Sequence, residues 1–281
     1  MSSTAPTLPL GGGDSHSAAA RPGASAARAF FFILWRDVFV TGRELVPFLA
    51  QVVVEPFFML FVFGKVLTGL GYAGHGFQQV LLPGVVALSA FLVALQNTAF
   101  PLIVDFSFTK EIEDRLLSPI PLGLVAVEKL VFGALRGMIA AAVMVPIGFL
   151  LLNDVSWPLS SLLPVVGVLV LGSLAGATLG MTIGTAVESR HISIIITVVL
   201  TPLMFTGATQ FPWFGLASVR PFQVICALNP LTYVSEGMRA ALIPRSQLHS
   251  IPLWADAVAL TAACLLYGLL GIRGFRKRAL D

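Results

Sequence analysis

Six apolar runs of near-membrane length follow one another along the chain, separated by short polar breaks, and each is long enough for a helix that crosses a bilayer in ~20 residues. They predict spanning helices from Leu45 to Phe63, Leu81 to Val104, Leu122 to Leu152, Leu162 to Val187, Ile192 to Ala208 and Leu253 to Ile272. Between the last two lies Gln210 to Leu242, apolar but broken by Pro212, Pro221 and Pro230. It is too interrupted for a simple crossing and too apolar for a plain loop, which predicts a re-entrant or interfacial helical hairpin. Ahead of the first run, Ala26 to Thr41 sets Phe30, Phe31, Phe32, Ile33, Leu34 and Trp35 around Arg28, Arg36 and Arg43, spaced so that a helix gathers the arginines on one side. Arg36 and Asp37 interrupt this segment too early for a crossing, so it reads as a helix lying in the interface, with a frayed extension of the first span as the alternative. Residues 1–24, rich in Ala, Ser, Gly and Pro, predict a disordered tail, and residues 25–281 a single transmembrane domain.

Composition agrees with the pattern. Of the 281 residues, 57% are hydrophobic and only 11% charged, against about a quarter charged in soluble domains. The fold class is therefore all-α, a polytopic membrane protein. A formal charge of +3 would suit nucleic acid if it were clustered, but the basic residues sit at the ends of the apolar runs, where they set orientation instead. Arg21, Arg28, Arg36 and Arg43, Lys110 and Arg115, Arg190, and Arg273, Arg276, Lys277 and Arg278 fall on one side of a six-span arrangement, facing only Lys65, Arg220, Arg239 and Arg245 on the other. Both termini are expected in the cytoplasm, and the hairpin on the far side of the membrane.

The absent motifs narrow the chemistry. None of Lys65, Lys110, Lys129 and Lys277 is followed by Ser or Thr in a Gly-rich phosphate loop, so the chain is not expected to bind ATP itself. No nucleophile elbow, His-Glu-x-x-His motif or His–carboxylate cluster is present, and Cys226 and Cys264 have no metal spacing. A non-catalytic chain without metal or cofactor is the expectation.

Thr109 to Pro119 reads as a short amphipathic cytoplasmic helix: Thr109 caps it, Glu111, Glu113 and Asp114 favour its N-terminal turns, and Pro119 ends it. A solvated connector is the alternative. With this segment in place, the order of features is similar to that of the membrane subunits of ABC type-2 exporters. Three local matches carry the resemblance: Glu55 and Pro56 through Phe63 and Gly64; Asp114, Arg115, Leu116, Leu117, Ser118 and Pro119; and Pro202 to Gly207, Phe211 and Pro212, then Asn229 to Tyr233 with Arg239. The resemblance spans roughly Ala26 to Arg278. It implies an inner-membrane exporter permease that pairs with a second permease subunit, identical or related. A separate cytoplasmic ATPase, carrying ATP and magnesium, would dock on the coupling helix through Glu111, Glu113, Asp114, Arg115 and Leu117. Cargo would be an amphipathic lipid, glycolipid or hydrophobic drug moved outward. An ion-gradient-driven transporter is the rival, with Glu55 and Asp105 as its only hint.

Four glycines in the fourth span, Gly172, Gly176, Gly180 and Gly184, recur every fourth residue and expose one helix face to close helix packing. Polar residues inside the spans are the pathway candidates, because each needs protein or water around it. Gln51 and Glu55 lie one turn apart in the first span, and Gln96 and Asn97 sit mid-way along the second. For these four, cargo lining and interhelical hydrogen bonding both stand open. Glu128, Lys129 and Arg136 enter the third span from the cytoplasm and suit pairing or snorkelling. In the hairpin, Asn229 and Thr232 are expected to cap the helix after Pro230 and to leave Glu236 and Arg239 on its exposed face. With Tyr233, these residues are candidates for an extracytoplasmic gate, with a purely structural role as the alternative.

Overall fold

The computed structural model describes residues 45–74, 76–106, 122–153 and 155–280, together with Trp35. The expected tail, nearly all of the interfacial helix and the whole coupling segment, with Glu111, Glu113, Asp114, Arg115 and Leu117, lie outside the described residues. Those described form helices joined by short turns, with no strand among them.

Helix α1 (Leu45–Met59) carries Pro56 and runs on through a π-helical stretch, Leu60–Val66, into a last turn, Leu67–Gly69. Helix α2 spans Phe77–Val104, α3 Leu122–Leu151 and α4 Leu162–Ala186. Two helical stretches, Ile192–Ile194 and Ile195–Leu200, lead into α5, Thr201–Thr206. The hairpin follows as α6, Arg220–Leu228, and α7, Pro230–Leu242, and the chain closes with α8, Leu253–Leu280.

Five of these helical runs, Pro47–Gly69, Phe77–Val104, Gly123–Leu151, Leu159–Ala186 and Leu253–Arg278, are long and apolar enough to cross a membrane among the described residues. The expected fifth crossing, Ile192 to Ala208, is helical from Ile192 to Thr206 but is not one of these five; its apolar helix among the described residues, Thr197–Thr206, is short. The helix ends at Thr206, and Ala208, at the end of the expected run, adopts a left-handed φ of 50°.

Helix α2 is the axis of the bundle, buried along nearly all its length. Two neighbours approach it through glycine. A Cβ on Gly176 or Gly180 of α4 would stand 2.3 Å from the Phe91 carbonyl or 2.4 Å from the Leu95 carbonyl, and one on Gly137 of α3 2.3 Å from the Ala90 carbonyl. Backbones that meet this closely gain dispersion contacts that lipid tails cannot match, which is how helices associate where no hydrophobic drive exists. Helix α8 packs on the other side of α4, where Thr182 donates to the Tyr267 carbonyl at 2.8 Å. At the end of the bundle away from the hairpin, Arg278 donates to the Val187 carbonyl at 2.7 Å and lies over Phe106, closing the exposed end of α4. Helix α7 lies at the opposite end, wedged among α2, α4 and α8: Val234 fills the space at Gly172, and Arg239 reaches the Val80 carbonyl.

Candidate functional site

Polar residues gather at two places, and their surroundings differ. The first is α7. Asn229 begins it: its Oδ1 accepts from the Leu231 N–H at 2.9 Å, the capping bond expected from its position before Pro230. Thr232 does not cap. Its hydroxyl instead donates to the carbonyls of Cys226 at 2.6 Å and Thr206 at 3.1 Å. The residues that follow at helical spacing face the same way. Asn229 Nδ2 donates to the Leu203 carbonyl at 2.7 Å, Ser235 Oγ to Gly207 at 3.0 Å, and Arg239 Nη1 and Nη2 to Ala208 and Thr209, each at 2.7 Å. One side of α7 therefore supplies donors to the carbonyls of Leu203, Thr206, Gly207, Ala208 and Thr209, where the chain leaves α5. Irregular backbone at membrane depth is tolerated where protein satisfies it in this way.

Arg239 is the centre of that row. Besides its three carbonyl partners, Val80, Ala208 and Thr209, it pairs with Glu236 at 2.8 Å, and both side chains are 0% exposed. Glu236 Oε1 also accepts from the Trp213 N–H at 3.0 Å. The expected exposed placement of Glu236 and Arg239 is thus corrected: the polar face of α7 meets backbone, not water. Gly84 of α2 makes room for this contact, since a Cβ there would stand 1.9 Å from the Thr209 carbonyl. Tyr233 donates to the Ala227 carbonyl at 2.7 Å and pins α6 against α7.

The second place is open. Glu55 lies on the exposed side of α1 with Val54 and Phe58, and lines a narrow cleft against Ser89 and Gln96 of α2. Gln96 also borders a cavity of about 410 Å³ with Asn97, Phe100, Pro101, Val104 and Asp105. Asn97 is held on both sides, donating to the Val93 carbonyl at 2.8 Å and accepting from Arg136, whose guanidinium lies over Phe132 and Phe48. Gln51 is in α1, but its side chain lies outside the described residues. Glu55, Gln96 and Asp105 therefore border two adjoining spaces joined at Gln96, whereas Asn97 acts as an interhelical tie to Arg136. A separate apolar cavity of about 420 Å³ lies between α3 and α4 near their hairpin ends, bordered by Met138, Phe149, Trp157, Leu169 and Leu242.

The four glycines of α4 singled out in the sequence all face neighbours within the chain: Val234 at Gly172, the carbonyls of Phe91 and Leu95 at Gly176 and Gly180, and the Ala99 carbonyl at Gly184. Gly84, Ser235 and Asp256 join the site only through the fold. A single glycine in an otherwise bulky run, Leu-Pro-Gly-Val-Val, was the available signal for Gly84.

Comparison with known proteins gives two findings. A family model described as ABC-2 type transporter matches residues 28–243. Among characterised sequences, the chain is similar to the inner membrane transport permease YadH of Escherichia coli strain K12, 28% identical over 197 residues, 68% of this chain and 73% of that protein. The proteins of the same name from Escherichia coli O157:H7 and Shigella flexneri match to the same extent.

Proposed function

The chain belongs to the ABC-2 type transporter family, and we propose that it is the permease subunit of an ATP-driven exporter, carrying an amphipathic lipid, glycolipid or hydrophobic drug outward across the inner membrane. A cytoplasmic ATPase docks on the segment holding Glu111, Glu113, Asp114, Arg115 and Leu117, and the spans on either side transmit its closure as a rigid-body movement. Both termini are cytoplasmic, and α6 and α7 form the re-entrant hairpin at the outer end.

The observation that carries the cargo path is Glu55. A carboxylate on the outward side of a span costs about 2.5–3.5 kcal/mol at mid-bilayer on insertion scales, so that side faces a wet path or a second subunit and not lipid. The α5 run supports a paired arrangement in the same way. It packs chiefly on its own neighbours in sequence and leaves Val198 and Phe205 more than half exposed. A second permease subunit laid against α1 and α5 covers both surfaces and encloses the cleft of Glu55 and Gln96.

Capture of a cytoplasmic ATPase with the full chain, followed by ATP hydrolysis in liposomes, tests the proposal. Hydrolysis rises with candidate amphiphiles only when the chain is present. The adjoining spaces that bring Glu55, Gln96 and Asp105 into one line favour a second reading, an ion-coupled transporter. Solute movement without any ATPase that collapses with the proton gradient selects that reading.

A further inference from the structure

We propose that the junction of α7 and α8 is a proton-binding site, in which Asp256, buried beside Glu236, carries a proton at neutral pH. Glu236, Arg239 and Asp256 are all 0% exposed. Four of the five N–H groups of Arg239 are committed, to Glu236 Oε1 and to three carbonyls. Glu236 Oε2 and both oxygens of Asp256 have no hydrogen-bond partner among the described residues. These are three orphaned acceptors on fully buried side chains.

The two acids are neighbours across the helix pair. A Cβ on Gly237, the residue after Glu236, would stand 3.4 Å from Asp256 Cβ, and the two carboxylates lie within each other's electrostatic reach. Arg239 balances one negative charge, leaving a second carboxylate with neither counter-ion nor hydrogen bond. Burying an ionised carboxylate in that condition is far more costly than burying a neutral acid. One proton on Asp256 removes the surplus charge.

No other ionisable group around Asp256 takes this part. From α7, Tyr233 feels its field, but its hydroxyl is committed to the Ala227 carbonyl. Helix α4, packed along α8, has no ionisable residue between Leu162 and Ala186. Arg245 and His249, in the turn before α8, are exposed. On α3, Glu128, Lys129 and Arg136 belong to the half nearer the opposite end; on α8 the Cys264 thiol lies about two turns further along and faces the Leu171 carbonyl, and the groups from Tyr267 on lie three turns or more away. The site rests on the geometry of the hairpin and does not depend on the cargo or the energy source.

Infrared spectroscopy of the purified full chain in lipid vesicles at neutral pH reads the proton directly. The expected result is a protonated carboxyl stretch that shifts when aspartate is isotope-labelled and disappears in Asp256→Asn. That variant accumulates at the wild-type level, because a neutral amide replaces a neutral acid of the same shape. Absence of the stretch in the wild-type chain, a stretch that ignores the label, or one that persists in Asp256→Asn overturns the proposal. So does a several-fold loss of accumulated Asp256→Asn protein, which marks Asp256 as an ionised group whose charge the fold needs.

Discussion

Glu236 and Glu55 are the same residue type in equally greasy surroundings, yet the chain uses them in opposite ways. Glu236 is sealed in, paired with Arg239 and bonded to the Trp213 N–H, on a helix whose polar side is spent on holding irregular backbone. Glu55 stands on an open side of α1 beside a cleft. The difference teaches that charge inside an apolar chain does not by itself mark a transport path. What matters is whether the protein has already satisfied that charge. By this criterion the hairpin polar row is structural in its closed arrangement, and the α1–α2 face is the cargo path proposed above.

Breaking the sealed side should have the largest effect. Arg239→Met leaves Glu236 buried without its counter-ion and strips three carbonyls of their donor, a loss of about 3–5 kcal/mol. Little folded protein should accumulate in membranes, by quantitative immunoblot, and Arg239→Met combined with Glu236→Leu should recover part of it. Gly84→Val comes next: its side chain collides with the Thr209 carbonyl and forces α7 off α2, at a cost of about 1–3 kcal/mol. Its signature is a lower unfolding temperature in detergent. Thr232→Val removes hydroxyl bonds to Cys226 and Thr206 and costs about 1 kcal/mol, visible as a small drop in the same measurement. At the far end of the scale, Glu55→Gln should leave accumulation and unfolding temperature unchanged and lower export alone.

The sequence made the long spans legible because length and hydropathy are properties of the residues themselves: α2, α3, α4 and α8 fall on the expected runs, with ends displaced by a turn or two. The stretch from Ile192 is helical to Thr206, within two residues of the expected end, but the left-handed turn at Ala208 that follows is not legible in an apolar run. Asn229 was readable as a cap because capping is local. Glu236 and Arg239 were misplaced because an amphipathic pattern tells which side of a helix is polar, not what that side meets. Here it meets the carbonyls of Ala208 and Thr209, some thirty residues earlier in the chain. Asp256 is illegible in the sequence for a related reason: an acid in the first turn of a helix is an ordinary complement to its dipole. Only tertiary contact reveals the second acid beside it.

The gate alternative for Asn229 and Arg239 sharpens the same comparison, since a gate residue alters export more than protein level whereas a structural one alters both together. The most direct test measures cargo-stimulated ATP hydrolysis per molecule of assembled transporter, side by side for Glu55→Gln and Asn229→Ala. Reduced turnover with normal accumulation for Glu55→Gln, and reduced accumulation with normal turnover per surviving molecule for Asn229→Ala, is the predicted result. The reverse pattern, with Glu55→Gln failing to accumulate and Asn229→Ala accumulating fully but failing to turn over, contradicts the account.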